Sequence, residues 1–401
     1  MGDNALSSPF ITRRKTMLDR ARELQPKLVL FRRHIHQNPE MGFEEVKTSQ
    51  YVSDHLTSLG IEHQRGVAKT GVVAVLGDGN GPIVALRADM DALPIQENNE
   101  DKAYRSRTAG VMHACGHDAH TAILMGVAEL LSKEPLHGTV KLLFQPSEEG
   151  GAEDKSGGLL MTQEGVLDDV ERVWGLHVGS GETPGVISVG EGAITAAADS
   201  FRGSIMGMGG HGAFPHRALD PIWLTSQVLP AIYGVIPRRL DPVKMAVITV
   251  GQINAGTAPN VIPMKVDLTG TIRSFDEETR AILHKGLVDA FSIARTLGGD
   301  FTLEHPYGYP PTVNEAESAR YIRGVAEELV GKDHVETAIP MMAGEDFAYM
   351  AQKAKGGFIN IGAAIGDKPR PHHHPDFDID ESILSTGAAV LAETVRRYLN
   401  G

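Results

Sequence analysis

The sequence predicts an α/β fold. A larger domain, built on a largely parallel central sheet flanked by helices, carries an inserted smaller α+β domain with an antiparallel sheet and two helices. Three observations carry that prediction. The chain has 401 residues, beyond the roughly 250–300 at which one hydrophobic core stops growing, so two domains are expected. Short continuous apolar runs alternate with helical patterns early in the chain and again near its end, the rhythm of strand–helix–strand units. Near Gly190 the pattern changes to the alternation of antiparallel strands.

Taken in order, residues 16–37 carry Leu18, Ala21, Leu24, Leu28, Leu30 and Phe31 at helical spacing, with Pro26 expected to break or kink the helix. Asn38-Pro39 ends it, because proline disfavours helix at the residue before it. A second helix is expected over 43–59, closed by Gly60. Residues 71–76, 83–88 and 139–145 read as buried strands, with a helix over 120–133 between the last two. Acids and an imidazole stand where such strands should end: Asp89 and Asp91, Glu148 and Glu149, and His177 after an apolar run over 173–176. Ligands gather beyond the carboxyl ends of these strands. Further on, strands over 200–206, 245–253 and 265–273 interleave with helices over 219–236 and 277–297. Helices over 316–329 and 384–398 return the chain to α/β character. The larger domain is thus expected over 1–192 and 309–401, with 193–308 inserted.

Charge and composition narrow the function. A net charge of −13, from 38 basic against 51 acidic residues, argues against a nucleic-acid binder or a polybasic membrane anchor. One cysteine cannot form an internal disulfide, so the chain is not a stapled secreted scaffold. Residues 1–25 are peppered with Arg and Lys without an apolar signal core, and no run approaches the length of a membrane span. A cytoplasmic protein is expected.

That single cysteine stands in Ala114-Cys115-Gly116-His117-Asp118-Ala119-His120, followed later by Glu148-Glu149. Thiolate, imidazole and carboxylate are the donors of a late first-row divalent metal. Cys115 and His117 can share one ion if Gly116 turns between them. Glu149 adds oxygen, while His177 and His373 add imidazoles, giving five candidate ligands, enough for two ions. Each alone has a plainer reading, since a buried cysteine is usually a small hydrophobe and paired acids are common on surfaces. Their conjunction shifts the balance. Of two adjacent glutamates, one can ligate and the other shuttle a proton, and Glu148 is the expected general base. Asp91 can orient a ligand imidazole or raise the base's proton affinity.

These stretches occur in order with His34, His36 and Glu40, then 87–94, 112–120, 145–150, 175–178, 209–216, 258–263, 344–347 and His373-His374-Pro375. The series resembles the aminoacylase/carboxypeptidase family of metallopeptidases (peptidase family M20), and within it the amidohydrolase branch of hippurate hydrolase and indole-acetyl-amino-acid hydrolase. The resemblance implies a binuclear site of Zn, Mn, Ni or Co ligated by Cys115, His117, Glu149, His177 and His373, with Glu148 as base and Asp91 in support. It also implies that the inserted domain is a lid through which two subunits dimerise, with dimer or tetramer left open as the final assembly. The lid's His211, projected by a turn of Gly207, Gly209 and Gly210, is expected to reach the partner's metal site and stabilise an oxyanion. Asn260 and Arg273 are candidates for binding a substrate carboxylate, although Arg273 reads equally as a salt-bridged strand residue. Gly344 is expected in a loop near the substrate. His34, His36 and Glu40 read as scaffold, and Phe201 and Phe214 as core rather than acyl contacts.

The expected activity is hydrolysis of the amide of N-acyl amino acids, with the acyl group acetyl, benzoyl or another aromatic one. Its rivals are a carboxypeptidase or dipeptidase of the same family, and an inactive metal-stabilised binding protein.

Overall fold

A computed structural model describes residues 15–98, 102–150 and 156–401; the basic stretch before residue 15 lies outside them. Helix α1 (Met17–Gln37) opens on a capping box between Thr16 and Asp19. It runs unbroken through Pro26, contrary to the expected break. Its apolar face, with Leu28, Phe31 and Ile35, is held by the core, and that packing outweighs one missing backbone hydrogen bond. Glu40 accepts from the backbone nitrogens of Lys47 and Thr48 at the start of α2 (Val46–Ser58), a scaffold role as expected.

Strands β1 (Glu62–Val67), β2 (Gly71–Gly77), β3 (Ile83–Asp89), β4 (Thr139–Gln145) and β5 (Arg172–Gly179) enter the main sheet, with α3 (His117–Leu131) before β4 and α4 (Gly157–Gln163) after it. Strand β1 escapes the sequence pattern because Glu-His-Gln-Arg on a largely exposed edge shows no apolar run. On β3, Val84, Leu86 and Ala88 face one hydrophobic core and Ala85 the other. Burial on both faces is why this strand reads as a continuous apolar run.

The short β6 (Ile187–Val189) also belongs to this sheet, and β7 (Gly192–Thr195) then leads out of it. Strand β8 (Ala197–Met206), the two-residue β9 (Gly210–His211), α5 (Pro221–Arg239), β10 (Ala246–Ala255), β11 (Val261–Ile262), β12 (Lys265–Ser274), α6 (Glu277–Thr296) and β13 (Asp300–Glu304) follow. Four of them form a separate antiparallel sheet in the order β10-β12-β8-β13. Phe201, Leu268, Val228 and Phe291 join that sheet and helices α5 and α6 in a core of their own. The chain returns through β14 (Thr312–Asn314), which pairs with β7 and so ties the outgoing and incoming crossings together. Helix α7 (Ala316–Val330), β15 (Val335–Thr337), α8 (Phe347–Lys353), β16 (Lys355–Gly362) and α9 (Leu384–Asn400) complete the chain.

The main sheet has eight strands in the order β1-β2-β4-β3-β5-β16-β6-β15. Its centre, β4-β3-β5-β16, is parallel, as expected, while β1 and β2 are antiparallel at one side and β6 reverses next to β16. Helices α1, α3, α7 and α9 cover one face, and α4 and α8 lie on the other. No helix among the described residues is long and apolar enough to cross a membrane.

Candidate active site

The expected donors meet at the carboxyl ends of the central parallel strands. Gly116 adopts φ +94°, and a Cβ there would lie 2.3 Å from Val178 Cγ2. Only glycine permits this turn, which sets Cys115 beside His117 at the first residue of α3. The helix therefore begins three residues earlier than the apolar pattern suggested, and strand β5 runs past 176 to carry His177 inside it. Glu148 and Glu149 follow Ser147, whose backbone nitrogen donates to Glu45 at 2.8 Å. The loop bearing His373 is tied in by a hydrogen bond from its backbone nitrogen to the Ala114 carbonyl, 2.8 Å.

The ligand atoms form two overlapping groups, Cys115–His117–His177 and Cys115–Glu149–His373, each with its atoms within 4.8 Å of one another. Cys115 belongs to both. Sγ lies 3.5 Å from His177 Nε2, and Glu149 Oε1 lies 3.0 Å from His373 Nε2.

Hydrogen bonds behind the ring nitrogens aim the imidazoles. His117 Nδ1 donates to the Asp91 carbonyl at 2.9 Å and approaches Asp91 Oδ1 at 3.1 Å, leaving Nε2 buried with no hydrogen-bond partner among the described residues, 3.7 Å from Asp89 Oδ2. His177 Nδ1 donates to the Val178 carbonyl at 2.8 Å, so its lone pair also faces Cys115. An unpaired buried imidazole nitrogen beside a thiol and a carboxylate fits a divalent cation. Among protein groups alone, burial and Glu149 push the Cys115 thiol well above its ordinary value; a bound cation reverses that preference. His120 is close by but committed elsewhere. Its Nδ1 bonds Asp89 at 2.6 Å, and its Nε2 accepts from the Val178 backbone at 2.9 Å.

Asp91 has a second task. Its Oδ2 accepts from the Glu149 backbone nitrogen at 3.0 Å, joining the His117 and Glu149 elements. Although burial opposes ionisation, the hydrogen bonds from His117 and the backbone hold Asp91 below its ordinary value. Glu148 is shifted the opposite way: burial, Glu345, Glu149 and Asp346 push its carboxyl well above the usual range. That suits a group that must take and return a proton.

Arg87 accounts for much of this field and was not singled out by the sequence reading. Fully buried, it donates to Gln145 (2.8 Å), Asp89 (2.7 Å), Glu345 (2.9 Å) and Asp346 (2.9 Å). Asp346 also accepts from Ser156 Oγ at 2.8 Å and the Gly158 nitrogen at 2.9 Å. Glu345 is raised to about 7 by burial, with Arg87 opposing and Asp89 and Asp346 adding to the rise. The motif around 344–347 was visible in sequence, but nothing there named its partner.

A cavity of about 810 Å³ opens onto these groups, lined by Cys115, Glu148, Glu149, His177 and His373 together with Arg273, Tyr309 and Gly344. Tyr309 donates its hydroxyl to the Glu148 carbonyl. Arg273 makes no ion pair among the described residues; its hydrogen bonds go to the carbonyls of Met342, Asp199 and Ile272 and to the Thr271 hydroxyl.

His211 and Asn260 are not on this cavity's wall. They lie together on the exposed β9–β11 ribbon, where Gly212 donates to the Asn260 carbonyl at 2.8 Å. The nearby glycines serve close approach rather than a left-handed turn: a Cβ on Gly207 would lie 2.1 Å from the Leu219 carbonyl oxygen. Phe201 is core, as expected, whereas Phe214 is 48% exposed beside His211 and is not.

The model of peptidase family M20/M25/M40 matches residues 85–397. The chain is 39% identical over 381 residues to IAA-amino acid hydrolase ILR1-like 5 of Arabidopsis thaliana, covering 93% of this chain and 86% of that one. It is 38% identical over 384 residues to N-acetyl-L-cysteine deacetylase of Bacillus subtilis, covering 94% and 89%. Among solved structures, the Bacillus subtilis YXEP protein, described as a dinuclear metal binding peptidase from M20 family, superposes with a TM-score of 0.81 at 32% identity, covering 94% of this chain and 99% of that one.

Proposed function

The chain belongs to peptidase family M20/M25/M40, a hydrolase of amide bonds, and on that premise we propose the chemistry of its site. Its substrates are N-acyl amino acids, released as a carboxylic acid and the free amino acid. Buried Glu148, beside two overlapping groups of donor atoms on the wall of one cavity, supports this reading best. Cys115, His117, Glu149, His177 and His373 would hold two divalent ions per subunit, drawn from Zn, Mn, Ni or Co. Such a pair supplies Lewis acidity toward the amide carbonyl and makes water a stronger acid.

Glu148 takes the proton of the attacking water and returns it to the departing nitrogen. Asp91 acts through His117, whose Nδ1 it engages, so that the opposite nitrogen keeps its lone pair for a ligand role. Arg273 receives the amino acid's carboxylate with Gly344 at the substrate's edge, and Asn260, beside His211 on the exposed ribbon, joins Arg273 there from the partner's lid. Residues 193–308 form a lid on a catalytic domain of 1–192 and 309–401. Two subunits pair through that lid, alone or within a tetramer, and His211 serves the partner's site by stabilising the oxyanion. We place the enzyme in the cytoplasm.

The direct test is a hydrolysis panel of N-acetyl, N-benzoyl and indole-acyl amino acids with each of the four metals. Turnover of at least one acyl class that disappears on chelation is expected. A fully metallated protein inert across the panel would sink the reading.

A further inference from the structure

The cavity wall changes character away from the donor atoms. Much of it is apolar, with Ile194, Ala338, Ile339 and Met341, yet a polar row crosses it. In the sheet register His177 on β5 stands beside Asn360 on β16, and Asn360 stands beside Ser188 on β6. All three line the cavity, and so does Glu182 in the turn just past β5. The Glu182 carboxylate folds back over Gly179, where an added Cβ would lie 2.6 Å from its Cδ.

His177 belongs to the donor set; the other three side chains are uncommitted. No group among the described residues hydrogen-bonds the side chain of Ser188, Asn360 or Glu182, and Glu182 Oε2 is buried without a partner. A carboxylate oxygen buried without a donor at an apolar cavity is costly unless a bound group completes it, and Ser188 and Asn360 offer further polar atoms along the same wall. Burial and nearby Glu336 raise the Glu182 carboxyl, in keeping with that shortage of donors.

We propose that Glu182, with Ser188 and Asn360, forms a polar subsite for the acyl group, selecting acyl groups that carry an N–H donor at their far end. The assignment rests on the amidohydrolase reading above and names its substrate class more narrowly. A carboxylate only accepts, so its partner must donate. Charge then sorts the two ends of the substrate: Glu182 repels the amino acid's carboxylate, while Arg273, on the same cavity and without an ion-pair partner among the described residues, attracts it. The donor can be a neutral ring N–H, as in an indole, or the ammonium of an aminoacyl group.

The test compares matched substrates in the metal-loaded enzyme. Indol-3-ylacetyl-alanine is set against its 1-methylindole analogue, and β-alanyl-alanine against butyryl-alanine. In wild type at least one N–H member should exceed its partner in kcat/KM by about tenfold, and Glu182→Leu should bring that ratio close to one. Glu182→Gln, which keeps an acceptor but loses the charge, should retain an indole preference and lose an ammonium preference. Ratios near one in wild type, or ratios unchanged in Glu182→Leu, overturn the subsite while leaving the amidohydrolase reading intact. Failure of wild type to hydrolyse any of the four substrates or the wider acyl panel overturns that reading first, and the subsite with it.

Discussion

The two sheets treat their chemical side chains in opposite ways. Around the eight-stranded sheet, polar groups are buried and locked to one another. Arg87 is ringed by acids, and Arg32 of α1 reaches Asp118 and Asp378 at 3.1 and 2.7 Å, fixing the start of α3 beside His117. The four-stranded sheet also has a locked cluster, in which Asp199 holds Arg280 and His284, the latter at 2.8 Å. Its candidate catalytic residue, however, stands outside on an exposed ribbon. A site preorganised by burial can work within one chain. A histidine held in solvent becomes an effective oxyanion donor only when another surface excludes water around it. On the proposed reading, a second copy of the chain supplies that surface.

Breaking the buried half should have the largest effect. Glu148→Gln is expected to lower kcat by about 10²–10⁴-fold, the range of a lost general acid–base group, with metal content unchanged by elemental analysis. A variant that turns over normally would remove the proton shuttle.

Breaking the exposed half comes next. His211→Ala should cost about 10²–10³-fold in kcat, as for one lost oxyanion donor. Refolding it together with Glu148→Gln should recover about a quarter of wild-type activity, because half of the dimers are then mixed and carry one complete site. Absence of recovery with mixed dimers present would return His211 to its own chain.

The smallest effect on chemistry should come from the locked cluster of the four-stranded sheet. Asp199→Asn leaves Arg280 without its buried acid, a change that typically costs about 3–5 kcal/mol of stability, read by denaturant unfolding. Although burial opposes it, hydrogen bonds from Arg280 and His284 hold Asp199 down to about 2, below an ordinary value of 3.8. Its stabilisation is therefore complete above the ordinary value and is lost as pH falls through the folded one. Wild type should lose stability between about pH 4 and 2 more steeply than Asp199→Asn.

Legibility followed burial. Strands β3 and β4 were readable to within a residue because two-sided burial writes a continuous apolar run, whereas β1, a polar edge, left no trace. The start of α3 was missed because it depends on the left-handed turn at Gly116 rather than on any apolar repeat. Arg87 was overlooked for another reason. Its meaning lies in Glu345 and Asp346, 258 and 259 positions away, and no local pattern links them.

From sequence came the donor inventory: one thiol spaced from an imidazole by a single glycine, two adjacent glutamates after an apolar strand, and further imidazoles downstream. Folding alone decided which lone pairs stay free. His117 and His120 sit one helical turn apart and look alike in the chain. The Val178 backbone nitrogen occupies Nε2 of His120, while Nε2 of His117 is left without a hydrogen-bond partner among the described residues. A ligand is defined by what its atoms do not already bond, and only the packed backbone fixes that.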